Sequence, residues 1–574
     1  MQTFKKTIAE KISGYVPVLF PGTELDAGNV EEMLEYPPDA SMGDLALPCF
    51  KLSKNLRRSP IQIALALEGA FSSDEKADVS AKALNGYLNF TVSDDALAQQ
   101  TLKAVLSEGE KYGSLDIGKG KTVVLDYSSP NVAKPFHIGH LGTTVIGHSL
   151  KKLHEFAGYK CIGINHLGDW GTQFGKLIVA YRKWGSKEDV EQGGIDKLVE
   201  LYVRFHKEAE EDASLNDLAR NEFSKLEHHD PDNIELWKWF IKISLEEYSK
   251  TYRQLDIEFD SYNGESFYTD KMPAQVEKLR ESGLLKLDDG ASIVDLSEYN
   301  MPPCLILKRD GSTLYPTRDI AAAAYRHDTY DFEKCIYVTS SAQSLHFSQW
   351  FKVVELMGYE WYDKLVHVPY GTVSINGAKL ATRTGNVILL KDLLAQAIEK
   401  VSQITAEKNP EMDPEKRAKI AEEVGVGAVV FYYLSNNRIK DINFMLEDAL
   451  SYEGNTGPYV QYTYARTCSV LKQADITIDT DNFKVTAAEE HELLKALSMF
   501  PERVIAALEA YEPSYITRYI LELAAAYNRF YHNCQILTDP DRAVVNTRVA
   551  LTEATKTVLG TAFGLICLKK TEQI

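Results

Sequence analysis

Paired cysteines are missing from this 574-residue chain: its seven cysteines, at 49, 161, 304, 335, 468, 534 and 567, include no CxxC spacing. That argues against a zinc site and a disulfide frame and reads as scattered reduced thiols, so cytoplasm is the expected compartment. Long apolar runs are missing too, which excludes a membrane-spanning helix. The stretch from Met1 to Ile12 mixes Lys5, Lys6 and Glu10 with apolar residues and lacks the apolar core of a secretory leader. Basic charge is in deficit: 63 Lys and Arg stand against 82 Asp and Glu, for a net charge of −19. Non-specific duplex binding does not suit such a chain, whereas a local basic surface for structured RNA is compatible with it. Internal repeats and low-complexity tracts are also absent.

What is present is enough sequence for three or four domains, with an ordinary hydrophobic content of 44%. Residues 1–115 read as a small α+β unit, with helical patterns at 3–14, 59–70 and 94–108 and a strand-like run from Leu84 to Val92. Residues 116–392 alternate apolar runs (122–125, 160–165, 334–339, 366–375) with helical patterns (notably 318–327 and 344–357), which predicts a Rossmann-type parallel sheet with helices on both faces. A charged helical stretch, at about 186–260, interrupts it as a peripheral insertion. The rest reads as all-α: a connector at 393–450 and a helical domain at 451–574, with helices expected at 391–406, 415–435, 444–473, 486–510, 513–537 and 543–567.

The most informative residues are His137-Ile138-Gly139-His140, placed between the apolar run Thr122 to Asp126 and a helical pattern from Thr144 to Phe156. Strand, tight loop and helix start make a phosphate site, because a helix N-terminus offers unpaired N–H groups and a positive dipole end. Two imidazoles at i and i+3 add donors to the same patch.

The longer string Asp126-Tyr-Ser-Ser-Pro-Asn131-Val-Ala-Lys134-Pro-Phe-His137-Ile-Gly-His140 resembles the first signature of class I arginyl-tRNA synthetases. The resemblance extends over essentially the whole chain. It implies that His137 and His140 bind ATP phosphates and stabilise the adenylation transition state, with Lys134 adding fixed positive charge. It assigns Asp126 and Asn131 to the arginine substrate. One departure is visible: the family usually has Arg-Ser-Thr where this chain has Gly142-Thr143-Thr144.

Further strings carry the same resemblance. His166-Leu-Gly-Asp169-Trp170-Gly-Thr-Gln173-Phe174-Gly175 matches the GDWGxQFG motif, in which Trp170 and Phe174 are expected in the core. Leu314-Tyr315-Pro-Thr-Arg318-Asp319 opens a helix, and the resemblance makes Tyr315 and Asp319 the pair that selects arginine. A guanidinium presents a planar fork of donors, which calls for a carboxylate and a further acceptor. In Ser341-Ala-Gln343-Ser-Leu-His346-Phe347 the resemblance puts Gln343 on the arginine and His346 near the adenosine. Lys379-Leu-Ala-Thr382-Arg383-Thr384-Gly385 is a degenerate KMSKS loop, where Lys379 and Arg383 are the expected ATP contacts, alongside Gly139 of the first motif.

For RNA, Tyr459 and Tyr462 fall at i and i+3 on a segment that resembles the family's anticodon-binding domain. Exposed there, they would stack unpaired bases. Asn85, Tyr87 and Asn89 alternate along the N-terminal strand-like run, and the resemblance directs that edge to the tRNA elbow. His228-His229-Asp230 is read as a helix end, and no structural metal is expected; magnesium comes with ATP. The implied activity is ligation of arginine to tRNA by a monomer without membrane contact, ATP being the energy source and tRNA being required for activation. The competing readings are another class I ligase, such as a cysteinyl or glutamyl type, and a non-catalytic RNA-binding paralogue. The missing Cys/His zinc spacing opposes the cysteinyl type, and intact His137, His140, Asp319 and Gln343 oppose the paralogue.

Overall fold

The computed structural model describes residues 1–73, 78–375, 377–379 and 388–574. Its central sheet is four-stranded and parallel, in the spatial order Leu365–Tyr370, Phe332–Ser340, Thr122–Asp126, Lys160–Ile164. The second and third of these strands are neighbours in space, yet the chain leaves them in opposite directions along the sheet. Their carboxyl ends therefore flank a crevice, and ligands of such sheets bind there.

The parallel strands agree with the expected runs except at 366–375. That run is split: Leu365–Tyr370 joins the parallel sheet, whereas Val373–Ile375 pairs with Ile442–Phe444 in a separate one. Gly371 marks the break, because a Cβ there would meet the Lys440 carbonyl oxygen at 2.4 Å. A three-stranded antiparallel sheet, Leu285–Asp288, Ala291–Val294 and Cys304–Leu307, lies outside the expected strands. Its strands are short, although its two-residue Asp289-Gly290 turn is a strong hairpin signal.

The insertion consists of helices Lys187–Glu211, Ser214–Glu227 and Pro231–Leu255. It is not peripheral. Ser244, Tyr248 and Tyr252 of its last helix hydrogen-bond to Ala133 N, to the carbonyls of Asn131 and Lys134, and to the Ser128 hydroxyl. The charge of these helices lies on their outer faces and conceals the apolar and hydroxyl face that supports the signature loop.

In the N-terminal unit, strands Leu45–Pro48, Tyr87–Val92 and Val79–Leu84 form an antiparallel sheet with the second in the centre. Asn85 departs from the expected strand position. It lies in a two-residue Asn85-Gly86 turn, both residues at positive φ (51° and 83°), and not on a strand face with Tyr87 and Asn89. Asn-Gly is the preferred sequence for such a turn because both positions need left-handed backbone. The C-terminal part is helical as expected, but two long helices are interrupted. Residues 444–473 contain a turn before Gly457–Gln473, with Pro458 in the first turn, and 486–510 divides into Ala488–Ser498 and Phe500–Ala510. Proline lacks the N–H that a helix interior requires.

Candidate active site

The signature loop leaves the strand Thr122–Asp126 and enters the helix Gly139–Phe156, which starts five residues before the apolar pattern does. The loop is bent sharply: Ser128, Ser129 and Ala133 all have positive φ (73°, 48° and 57°). Such backbone costs about 1–3 kcal/mol per residue and persists only where the surroundings dictate it. Here they do. Thr143 Oγ1 accepts from Ser128 N at 3.0 Å and donates to the Val338 carbonyl at 2.7 Å, tying the loop to the neighbouring strand.

The two imidazoles meet, with ring centres 4.0 Å apart, and Phe136 stacks on His140 at 5.0 Å. Gly139 N donates to His137 Nδ1 at 3.1 Å, and His137 N donates to His140 Nδ1 at 3.2 Å. Both Nδ1 atoms are therefore acceptors. Burial lowers the pKa of both rings; His140 is pushed down to about 3, with the neighbouring His137 and Lys134 charges adding to the effect. A neutral imidazole that accepts at Nδ1 carries its proton on Nε2. Each ring therefore carries one Nε2–H donor beside the helix start, and the pair presents dipoles rather than two cations.

Asp126 closes the strand end. Its Oδ2 accepts from Arg326 Nη2 at 2.7 Å and its Oδ1 from the Ser129 hydroxyl at 2.9 Å. Arg326 also reaches His166 Nδ1 at 3.3 Å and lies against the Tyr337 ring. Asn131 is exposed and pairs by backbone with Gly168, where a Cβ would meet its Oδ1. Asp169 is buried and receives the Ser266 amide (2.8 Å) and hydroxyl (2.6 Å), which makes it a support for the 264–266 turn. Phe174 is in the core, and Trp170 packs edge-on against Trp237 and Phe223.

Asp319 lies in the first turns of the helix Tyr315–Tyr330, and its Oδ2 accepts from His346 Nε2 at 2.5 Å. The structure thus joins His346 to the Asp319 carboxylate. Beside them Arg318 Nη1 lies 2.8 Å from Glu265 Oε2. Sequence reading missed Glu265. Burial, aided by Asp169 and Asp319, raises its pKa to about 7 despite Arg318. The only sequence signal was Gly264, where a Cβ would meet Leu167 O and Asp169 Oδ1 at 2.6 Å. Tyr315 is 68% exposed, with its ring under the Arg318 guanidinium. Gln343 is exposed in the turn Ser341–Gln343 at the carboxyl end of Phe332–Ser340.

Lys379 pairs by backbone with Ser374, and Arg383 lies outside the described residues. The segment just beyond adjoins the signature: Leu390 N donates to Phe136 O at 2.9 Å and Ile138 N to Ile388 O at 3.3 Å. The RNA candidates lie apart from this centre. Tyr87 packs edge-on against Phe50, and Asn89 is buried. Tyr459 accepts from Asn528 Nδ2 at 3.0 Å, while Tyr462 is 45% exposed and shares the Arg466 guanidinium with Tyr531. His228 closes the helix Ser214–Glu227 and Asp230 caps the next one through Asn233 N. Among the described residues no group of three or more His, Cys, Asp or Glu side chains is arranged to hold a metal ion.

A parallel sheet whose first strand delivers paired histidines to a helix start is compatible with a class I aminoacyl-tRNA synthetase, and the family match makes it one. The family described as "tRNA synthetases class I (R), catalytic domain" matches residues 101–446, "Arginyl tRNA synthetase N terminal domain" matches 2–92, and "DALR anticodon binding domain" matches 460–574. The chain is 48% identical over 583 residues to an arginine–tRNA ligase of Alkaliphilus metalliredigens, and 49% identical over 577 residues to one of Clostridioides difficile, with 100% of each chain covered. The crystal structure of the Plasmodium falciparum arginyl-tRNA synthetase superposes with a TM-score of 0.81 at 25% identity, covering 100% of this chain and 99% of that one. The chain belongs to the arginyl-tRNA synthetase family.

Proposed function

We propose how the named residues divide the work of an arginine–tRNA ligase. The activity joins arginine to ATP as arginyl-adenylate with release of pyrophosphate, then passes arginine to the terminal adenosine of tRNA. In the first step a carboxylate oxygen of arginine attacks the α-phosphorus, and the bond to the β-phosphate breaks. Charge accumulates on the α-phosphate oxygens, where His137 and His140 offer their Nε2–H donors and the helix start its amides. Preorganised donors of this kind lower a barrier by about 3–4 kcal/mol each. Lys134, Gly139, Lys379 and Arg383 complete the ATP contacts, and magnesium belongs to the ATP substrate. In the second step the terminal 2′-hydroxyl attacks the arginyl carbonyl carbon and AMP leaves.

The observation that carries the arginine assignment is the Arg318–Glu265 ion pair beside Asp319. It gathers the Glu265 and Asp319 carboxylates around a guanidinium of the chain itself, the surroundings a substrate guanidinium needs. Asp319, Glu265, Tyr315 and Gln343 hold the substrate side chain. Asn131 and Asp126 hold the main-chain end, the α-ammonium group replacing the Ser129 hydroxyl on Asp126 Oδ1. His346 orients Asp319 through its Nε2 and lies near the adenosine. Tyr462, with Tyr459 behind it, stacks anticodon bases, and the Asn85 turn with Tyr87 and Asn89 meets the tRNA elbow. The chain divides at about 115, 392 and 450 and works as a cytoplasmic monomer.

Calorimetric titration of arginine tests the pocket. Glu265→Gln and Gln343→Ala weaken arginine binding while ATP binding is retained. Unchanged arginine affinity in both variants would overturn the assignment.

A further inference from the structure

At Gly142 the chain lacks the side chain its family's signature usually carries, and the structure shows what fills the space. A Cβ on Gly142 would lie 2.2 Å from the Tyr433 hydroxyl oxygen, 2.8 Å from its Cζ and 3.2 Å from Tyr370 Cε2. Tyr433 comes from the helix Pro414–Leu434 and is 3% exposed; Tyr370 ends the edge strand of the parallel sheet. Both phenols are pushed by burial to ionise well above their ordinary range, so they stay neutral. A buried ring in a close-packed interior cannot swing aside, so a side chain at 142 would displace the helix turn itself.

We infer that Tyr433 is a positioning residue that stands in the space of the missing side chain at 142 and sets the first turn of the signature helix against the sheet. The turn in question carries Gly139 and His140. Its placement fixes the His140 donor and the helix-start amides relative to ATP, and Asp319, Glu265 and Gln343 on other elements are untouched. Tyr433 thus acts through His140 and not by contact with the reacting atoms. The inference rests on His137 and His140 serving ATP; if that reading were wrong, His140→Ala would leave ATP kinetics intact, whatever Tyr433 does.

The test compares Gly142→Arg, Tyr433→Ala and the double variant with wild type in tRNA charging, at varied ATP and at varied arginine. Each single variant lowers kcat/KM for ATP by at least about tenfold, with the arginine KM within about twofold. The double variant recovers at least about tenfold over Gly142→Arg, since residues in contact couple and distant ones add. The Tyr433→Ala arm stands even if Gly142→Arg does not fold. Additive losses in the double variant would overturn the inference. So would losses that fall equally on both substrates and follow the melting temperature.

Discussion

Arg326 Nη2 lies 2.7 Å from Asp126 Oδ2, although the two residues are 200 positions apart in sequence, and Arg326 is 1% exposed. Among the described residues its Nε and Nη1 have no hydrogen-bond partner, and Asp126 is the foremost charge that offsets the burial of this guanidinium. Removing one member of such a pair leaves an unpaired buried charge, which costs about 3–5 kcal/mol. Arg326→Met therefore lowers the denaturation free energy by that amount, and adding Asp126→Asn restores part of it. Urea unfolding followed by circular dichroism measures both. Equal midpoints for wild type and Arg326→Met would contradict the pairing.

The proposed role of His140 is that of a neutral donor, its pKa being held down to about 3 by burial. Its charge state accordingly does not change between pH 5 and 9, and kcat shows no step from this ring near the ordinary imidazole value. Glutamine places an amide N–H at a reach close to Nε2, whereas alanine removes the donor. His140→Ala loses about 100- to 1,000-fold in kcat, and His140→Gln retains clearly more. Equal losses in both variants, by pre-steady-state charging, would contradict the donor role.

Glu265 titrates near 7 because burial and neighbouring carboxylates disfavour its charge. A guanidinium prefers the ionised carboxylate, so arginine KM falls as pH rises through about 7 and levels off above it. Glu265→Gln abolishes that pH dependence and raises KM at alkaline pH. A wild-type arginine KM that is flat from pH 6 to 8 would contradict it.

The N-terminal unit docks on the C-terminal helices through His491, whose Nε2 is 3.0 Å from Asp44 and whose Nδ1 is 2.6 Å from Asp94; Lys495 also reaches Asp44 at 3.2 Å. The two carboxylates raise the pKa of His491 in the folded state. The folded protein then holds this proton more tightly than the unfolded chain. The stabilisation is complete below the unfolded value of about 6.5 and is lost as pH rises through the higher folded value. The difference in melting temperature between wild type and His491→Asn shrinks over that window. A difference that grows with pH would contradict it.

Much of this architecture was legible in the sequence. The four parallel strands, the helix Asp94–Glu108 and the position of the signature loop follow from apolar periodicity, which survives because both sheet faces are covered. The helix start was legible only to within five residues, because Gly139, His140 and Gly142 interrupt the apolar pattern although Leu141 between them is buried. The insertion concealed its role, since Ser244, Tyr248 and Tyr252 touch the loop through hydroxyls that no apolar pattern reveals. The resemblance puts His346 near the adenosine, and its Nε2 contact with Asp319 appears only in the folded chain. Glu265 carries no motif; its placement depends on Gly264 approaching Asp169.

The most direct test of arginine selection is tRNA charging by wild type and Asp319→Ala, with arginine, lysine and cysteine offered side by side. The wild type charges arginine alone. Asp319→Ala loses at least about a thousandfold in kcat/KM for arginine, as expected where a built hydrogen-bonding site is broken, while ATP still binds. Normal arginine charging by Asp319→Ala, or lysine charged by the wild type at a comparable rate, would contradict the account.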